Sequence, residues 1–298
     1  MSLINELPKV KGKYRENTEL GKKTWFNTGG NAEVLYNPAD TNDLAFFIKN
    51  INKNIPIFVL GAGSNTLIRD GGIRGVVIKL AREFSHINIK DGKAICGAAA
   101  LNFNVANFLY ENAKSGCEFL SGIPGSIGGG IAMNAGAYGK DFASIIEKIK
   151  AITPSGEIIE LTNSDIGFKY RSNNLPDGYI FTEATFNIKT ENKQLIKENL
   201  IKIKLARETT QPIHARTSGS TFKNTKTHKA WELIEKADCR GLRVGNAFVS
   251  EKHCNFIINE DEATAKDIED LGNLVIKKVK QDSGIELKWE IKRVGEYK

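Results

Sequence analysis

Seven glycines fall within one short run, Gly122-Ile123-Pro124-Gly125-Ser126-Ile127-Gly128-Gly129-Gly130-Ile131-Ala132-Met133-Asn134-Ala135-Gly136-Ala137-Tyr138-Gly139. Glycine loses more backbone entropy on folding than any other residue, so such density persists where the main chain must approach something closely. A flexible linker would be rich in Ser and charge. This run interleaves its glycines with apolar residues and contains neither Lys nor Asp. The chemistry it suits is the cradling of phosphate oxygens by unobstructed main-chain N–H groups. A shorter cluster lies upstream at Val59-Leu60-Gly61-Ala62-Gly63-Ser64-Asn65-Thr66. Two such loops suggest a dinucleotide held from two sides.

The upstream cluster is not a Rossmann turn. That fingerprint needs a third glycine and a following helix. Here the third position is Thr66, and Leu67-Ile68-Arg69-Asp70-Gly71-Gly72 reads as a strand and turn. The Gly-Lys-Ser/Thr ending of a P-loop is also absent. The two loops therefore bind a dinucleotide by another geometry, or bind none.

The elements that must position these loops are short and mixed. Residues 32–36 read as a strand, and residues 41–50 as a helix with Leu44, Phe47 and Ile48 on one face;. Short apolar strands follow at 57–60 and 76–78. Before Thr24 the chain is polar, and a short helix is expected there. From Ile87 onward strands predominate, at 94–96, 145–152, 158–161 and 179–188, interrupted by a helix at 102–113. Pro154-Ser155-Gly156 marks a hairpin turn. A helix at 195–209 precedes a last region with helices near 229–237 and 261–284 and strands near 246–249 and 255–258. This pattern predicts an α+β protein in three parts, residues 1–80, 81–190 and 191–298, rather than a doubly wound sheet.

The length of 298 residues exceeds the roughly 100–200 of a typical domain, which agrees with several lobes;. No apolar run reaches the about 18 residues that span a membrane. The first residues carry neither an apolar core nor a small-residue cleavage site, so a cytoplasmic enzyme is expected. Cys96, Cys117, Cys239 and Cys254 form no C-x-x-C pair and match no zinc framework, so buried free thiols are expected and no metal;. The net charge of +7 would suit nucleic acid or an anionic small substrate;. Its basic residues are dispersed through a Lys-, Asn- and Ile-rich chain, so neither a nucleic-acid nor a membrane partner is expected.

Gly61-Ala62-Gly63-Ser64-Asn65 and Gly122-Ile123-Pro124-Gly125-Ser126-Ile127-Gly128-Gly129 resemble the two phosphate loops of flavoproteins with the vanillyl-alcohol-oxidase, or PCMH, type of FAD domain. Asn134-Ala135-Gly136-Ala137-Tyr138-Gly139 narrows the resemblance to the UDP-N-acetylenolpyruvoylglucosamine reductases. The likeness runs from about Thr24 to the C-terminus. It includes Asn27-Thr28-Gly29-Gly30, Tyr170-Arg171, Gly219-Ser220-Thr221-Phe222-Lys223-Asn224, Lys252-His253-Cys254-Asn255-Phe256 and Trp289-Glu290-Ile291. Several motifs in one order are far more specific than any one alone.

The resemblance implies a PCMH-type FAD module of two subdomains followed by a C-terminal α+β substrate-binding domain. It implies FAD on Gly61, Ala62, Gly63, Ser64, Asn65, Thr66, Gly122, Pro124, Gly125, Ser126, Gly128, Gly129, Asn134, Ala135, Gly136 and Arg216. NADPH would reduce the flavin. The flavin N5 would then pass hydride to the β-carbon of an enolpyruvyl UDP-sugar, giving UDP-N-acetylmuramate for peptidoglycan synthesis. By the same likeness Ser220 protonates the α-carbon, a step typically worth about 10²–10⁴-fold. Arg171, expected at a strand end, supplies a fork matched to the substrate carboxylate. Glu290 works with it in polarising the enolpyruvyl group, while Tyr170, Lys223 and Asn224 bind substrate. Lys252 and Asn255 support that lobe, and His253 reads equally well as a satisfied core histidine.

Two positions depart from the family pattern: Thr225 stands where proline is common, and Asn173 where serine is usual. The stretch between Arg171 and Ser220 is short, as in members without a long substrate-capping loop. A monomer is expected. Two other readings stay open. One is a sugar or alcohol oxidase on the same FAD fold, although no histidine precedes His86 to tether a flavin. The other is a basic nucleotide-binding protein without redox chemistry.

Overall fold

The computed structural model describes residues 2–298, and the chain gathers into two units. The first comprises residues 2–16, Val34–Ala62 and Gly75–Ala206; the second comprises Asn17–Glu33, Gly63–Arg74 and Arg207–Lys298.

The first unit is built around a five-stranded antiparallel sheet. Its strand order is Ile158–Thr162, Ile146–Ile152, Ile180–Asn187, Lys93–Gly97 and Ile87–Lys90. The hairpin predicted at Pro154-Ser155-Gly156 joins the first two strands, with Ile152 opposite Ile158. Alternating inward residues such as Ala94, Cys96, Ile149, Ala151, Ala184 and Phe186 bury one face;. The helix Asn102–Glu111 covers it with Val105, Ala106 and Leu109. A smaller core joins the helix Thr41–Asn50 to Val34, Tyr36, Val76 and Ile78. Within it, Ile57–Val59 runs parallel to Val76–Ile78.

The polar N-terminal stretch is not the helix expected from sequence. Lys13–Glu19 is a strand at the edge of a four-stranded sheet, preceded by one 3₁₀ turn at Leu3–Glu6. The physical reason is that the stretch has no apolar stripe with helical spacing. Charged side chains suit a sheet edge, where they discourage pairing with other chains. Tyr14 supplies the inward contact, its ring 5.1 Å from that of Tyr36.

The second unit packs the helices Ala230–Lys236 and Ala265–Ser283 on a small antiparallel meander, Arg243–Val244, Ala247–Val249 and Ile257–Asn259. Thr264 caps the long helix and forms a capping box with Asp267, while Gly284 ends it at φ +72°;. Thr66–Ile68 is the strand predicted after the first glycine cluster, and it runs parallel to Lys292–Val294.

Candidate active site

In the first unit the two glycine loops meet. A Cβ placed on Gly61 would lie 2.9 Å from Ser126 Oγ and 3.9 Å from Gly129 Cα. Ser126 caps the short helix Ile127–Ala132, its hydroxyl accepting from Gly129 N;. The N–H groups of Ile127 and Gly128 are not offered to a ligand: they donate to Ala100 O at 2.9 Å and Ala98 O at 2.8 Å. Those of Gly61, Ala62, Gly125 and Ser126 have no acceptor among the described residues.

The glycines thus divide by what they touch. A Cβ on Gly130 would sit 2.2 Å from the Phe142 ring, and one on Gly122 would sit 2.4 Å from the Tyr138 ring. Gly128 faces Ala98 at 3.0 Å. These three make room for the protein itself. Gly129 is exposed, and its Cβ would meet only Ser126 Oγ, at 3.4 Å. Gly61 and Gly129 are both exposed and lie against Ser126 beside unpaired amides, which fits a phosphate-bearing cofactor such as FAD;.

The Asn134 side chain ties the second loop to the Tyr170-Arg171 turn. Asn134 is 4% exposed and left-handed at φ +43°. Its Nδ2 donates to Lys169 O at 3.1 Å and Asp141 Oδ2 at 3.2 Å, and its Oδ1 accepts from Ala143 N at 3.0 Å. Arg171 does not end a strand, as expected from sequence, but lies in a tight turn at φ +53° between the bridged residues Lys169 and Ser172. The polar Ser172-Asn173-Asn174 stretch carries no strand pattern, and partners distant in sequence hold the turn. Arg171 Nη2 donates to Gly136 O at 3.0 Å, and its guanidinium lies 5.2 Å from the Tyr170 ring centroid. Asn173 Nδ2 donates to Ala132 O at 3.0 Å, fastening the turn to the helix of the glycine loop.

In the second unit Ser220 follows Gly219, which is left-handed at φ +79°. The residue after it is fully buried: Thr221 N donates to Asn255 O, and Glu290 N donates to Thr221 O, both at 2.8 Å. Phe222 pairs with Trp289, and Lys223 N donates to Lys288 O at 2.8 Å. Asn65, from the first glycine cluster, joins the same edge: its Nδ2 donates to Glu290 O at 3.1 Å, and Lys292 N donates to Asn65 O at 3.1 Å. Asn224 Oδ1 accepts from Ala230 N at 2.9 Å and so starts a helix. Arg216 is exposed and donates to Asp261 O.

Two buried hydroxyls lie just before Ser220. Thr217 Oγ1 and Ser218 Oγ have no partner among the described residues. Sequence reasoning passed over this pair, although two adjacent polar residues in front of Gly-Ser offered a signal. It named Asn255 only as a support and did not see that this residue bonds the Ser220 segment. Burial lowers the pKa of the half-buried His253 imidazole, and its Nδ1 accepts from Asn255 N at 3.2 Å. The four cysteines are free and buried, as expected.

A family model described as FAD binding domain matches residues 32–162, and one described as UDP-N-acetylenolpyruvoylglucosamine reductase, C-terminal domain, matches residues 211–294. The UDP-N-acetylenolpyruvoylglucosamine reductases of Rickettsia conorii and Rickettsia typhi are each 53% identical to this chain, over 98% of its length and 99% of theirs. The chain belongs to the UDP-N-acetylenolpyruvoylglucosamine reductase family. The crystal structure of the reductase from Thermus caldophilus superposes with a TM-score of 0.82 at 30% identity, covering 96% of this chain and 100% of that one. The protein is therefore an FAD-dependent oxidoreductase of α+β fold, as its glycine loops and motif order led us to expect.

Within this reductase family member, the expected site residues are distributed over both units. Gly61, Ala62, the second glycine loop, Tyr170 and Arg171 are in the first; Gly63, Ser64, Asn65, Thr66, Arg216, Ser220, Lys223, Asn224 and Glu290 are in the second. Among the described residues no three His, Cys, Asp or Glu side chains gather as a metal site, and no helix is long and apolar enough to cross a membrane.

Proposed function

We propose that this protein uses NADPH to reduce the enolpyruvyl ether of UDP-N-acetylglucosamine to the lactyl ether, giving UDP-N-acetylmuramate for peptidoglycan synthesis. FAD, when bound, supplies the hydride that reaches the β-carbon from N5. The residues of the chain do the rest. The free amides of Gly61, Ala62, Gly125 and Ser126 hold the cofactor pyrophosphate. Ser220 Oγ gives its proton to the α-carbon, and solvent restores it. Arg171 stabilises the charge that builds on the substrate carboxylate; one preorganised donor of this kind is worth about 3 kcal/mol. Glu290 orients the same group, Tyr170 and Lys223 hold the UDP-sugar, and Asn224 starts the adjoining helix while facing the substrate with its amide. Arg216 contributes a cofactor contact.

The observation that carries this reading is the bond from Glu290 N to Thr221 O, which ties Glu290 to the residue after Ser220. Residues 1–80 and 81–190 serve as the two parts of the FAD module and residues 191–298 as the substrate domain. The enzyme works as a cytoplasmic monomer.

Anaerobic stopped-flow absorbance separates the two half-reactions. NADPH should bleach the flavin band, and the enolpyruvyl substrate should restore it. Ser220→Ala should leave the first step near the wild-type rate and slow the second by about 10²–10⁴-fold. Equal damage to both steps removes Ser220 from the donor role. Rapid reoxidation by air with peroxide release, and indifference to the substrate, would make the protein an oxidase instead.

A further inference from the structure

The main-chain ladder forks at Thr221. Its carbonyl pairs with Glu290 N, while its N–H turns away to Asn255 O, each at 2.8 Å. Asn255 then bonds the next residue's main chain on both sides: Oδ1 accepts from Phe222 N at 3.0 Å, and Nδ2 donates to Phe222 O at 2.9 Å. The Thr221 hydroxyl accepts from Ile257 N at 3.2 Å. Asn255 is 4% exposed and Thr221 is 0% exposed, so water cannot replace these partners. One buried amide side chain thus satisfies both main-chain groups of Phe222, which belong to two successive peptides.

We propose that Asn255 and Thr221 are positioning residues that fix Ser220 relative to Glu290 for proton delivery, an inference resting on the reductase reading above. Asn255 sets the height of the Ser220 segment through the Phe222 main chain. Thr221 joins that segment both to Glu290 and to the strand Ile257–Asn259. Neither side chain exchanges a proton with substrate. Their effect is geometric, and a displacement of about 1 Å in a catalytic group can cost about 10²-fold.

The test is a set of variants of the FAD-loaded enzyme: Asn255→Ala, Thr221→Val and Thr221→Ser, each also combined with Ser220→Ala. Thr221→Val keeps the shape of the side chain and removes the acceptor of Ile257 N, so it remains informative if Asn255→Ala fails to fold. The flavin content and the rate of bleaching by NADPH should match the wild type. Reoxidation by the enolpyruvyl substrate should slow by about 10–100-fold in Asn255→Ala and Thr221→Val. Thr221→Ser, which keeps the hydroxyl, should recover most of that loss. On the Ser220→Ala background the same changes should cost less than about threefold, because residues acting through one group are not additive. Full additivity on that background, or a wild-type reoxidation rate in both single variants, overturns the inference. Failure of the wild type itself to reoxidise with substrate defeats the reductase reading, and the inference with it.

Discussion

Glu290 N–H donates to the carbonyl of Thr221 at 2.8 Å, so the backbone of one candidate catalytic residue is bonded to the neighbour of another. This bond does not involve the Glu290 carboxyl. The substitution Glu290→Gln therefore tests the carboxyl alone. Substrate-driven flavin reoxidation should fall by about 10²-fold, in line with the loss of one preorganised electrostatic group. Flavin binding and urea stability should stay within error of the wild type. A stability loss comparable to the kinetic loss would mean that Glu290 serves the fold.

The second glycine loop separates folding from binding. Gly130→Ala would press a methyl group to 2.2 Å from the Phe142 ring, and overpacking of this kind costs about 1–3 kcal/mol;. Gly129→Ala would bring its methyl group into contact with Ser126 Oγ alone, at 3.4 Å, and should gain about 0.5–1 kcal/mol as a helix residue;. FAD titration of the apoprotein should give the reverse order for function. Gly129→Ala should bind FAD at least tenfold more weakly, while a folded Gly130→Ala should bind it nearly as the wild type does.

Ser218 Oγ is buried without a partner among the described residues. Such a group costs about 1–3 kcal/mol when unsatisfied. Ser218→Ala should therefore leave the apoprotein as stable as the wild type or up to about 1 kcal/mol more stable. If a ligand satisfies this hydroxyl, the variant should also lose part of the stabilisation that FAD or substrate adds. Thermal melts with and without each ligand measure both effects.

Glu269 predicts an acid-sensitive second unit. Its carboxyl accepts from Arg69 Nε and Nη2 at 2.9 Å, Arg293 Nη1 at 2.8 Å and the Tyr297 hydroxyl at 3.1 Å. The hydrogen bonds from Arg69 hold it below the usual carboxylate range, against the opposing pull of burial. A depressed folded pKa stabilises the protein above the unfolded value of about 4.3, and that contribution is lost as pH falls through the folded value. Glu269→Gln should cost toward the lower end of about 3–5 kcal/mol at pH 7, because both guanidinium groups keep some contact with water. Urea midpoints between pH 3 and 7 should converge for the two proteins at the acid end.

Much of this protein was legible in one dimension. Glycine density between Gly122 and Gly139, the apolar strand ending at Gly61 and the turn at Pro154-Ser155-Gly156 are local signals, set by backbone freedom and side-chain period. They correctly announced most of the strands, the hairpin and the buried thiols. The same local logic erred where a segment takes its conformation from a distant partner. Lys13–Glu19 is a strand because Tyr14 finds Tyr36, and Arg171 turns because Asn134 and Asn173 hold the residues on either side of it.

What the sequence determined by itself was which residue types are available for chemistry: Ser220, Arg171 and Glu290, with glycine wherever the main chain must stay bare. Tertiary structure alone decided how each is used. It assigned the Gly128 amide to Ala98 and left that of Gly125 free; it faced Gly130 with a ring and Gly129 with only the Ser126 hydroxyl. It also made Asn255 the clamp of a segment that lies more than thirty residues away in sequence. The reason is that a hydrogen-bonding group is committed only when its partner is in place, and these partners are brought together by burial of the core rather than by order along the chain.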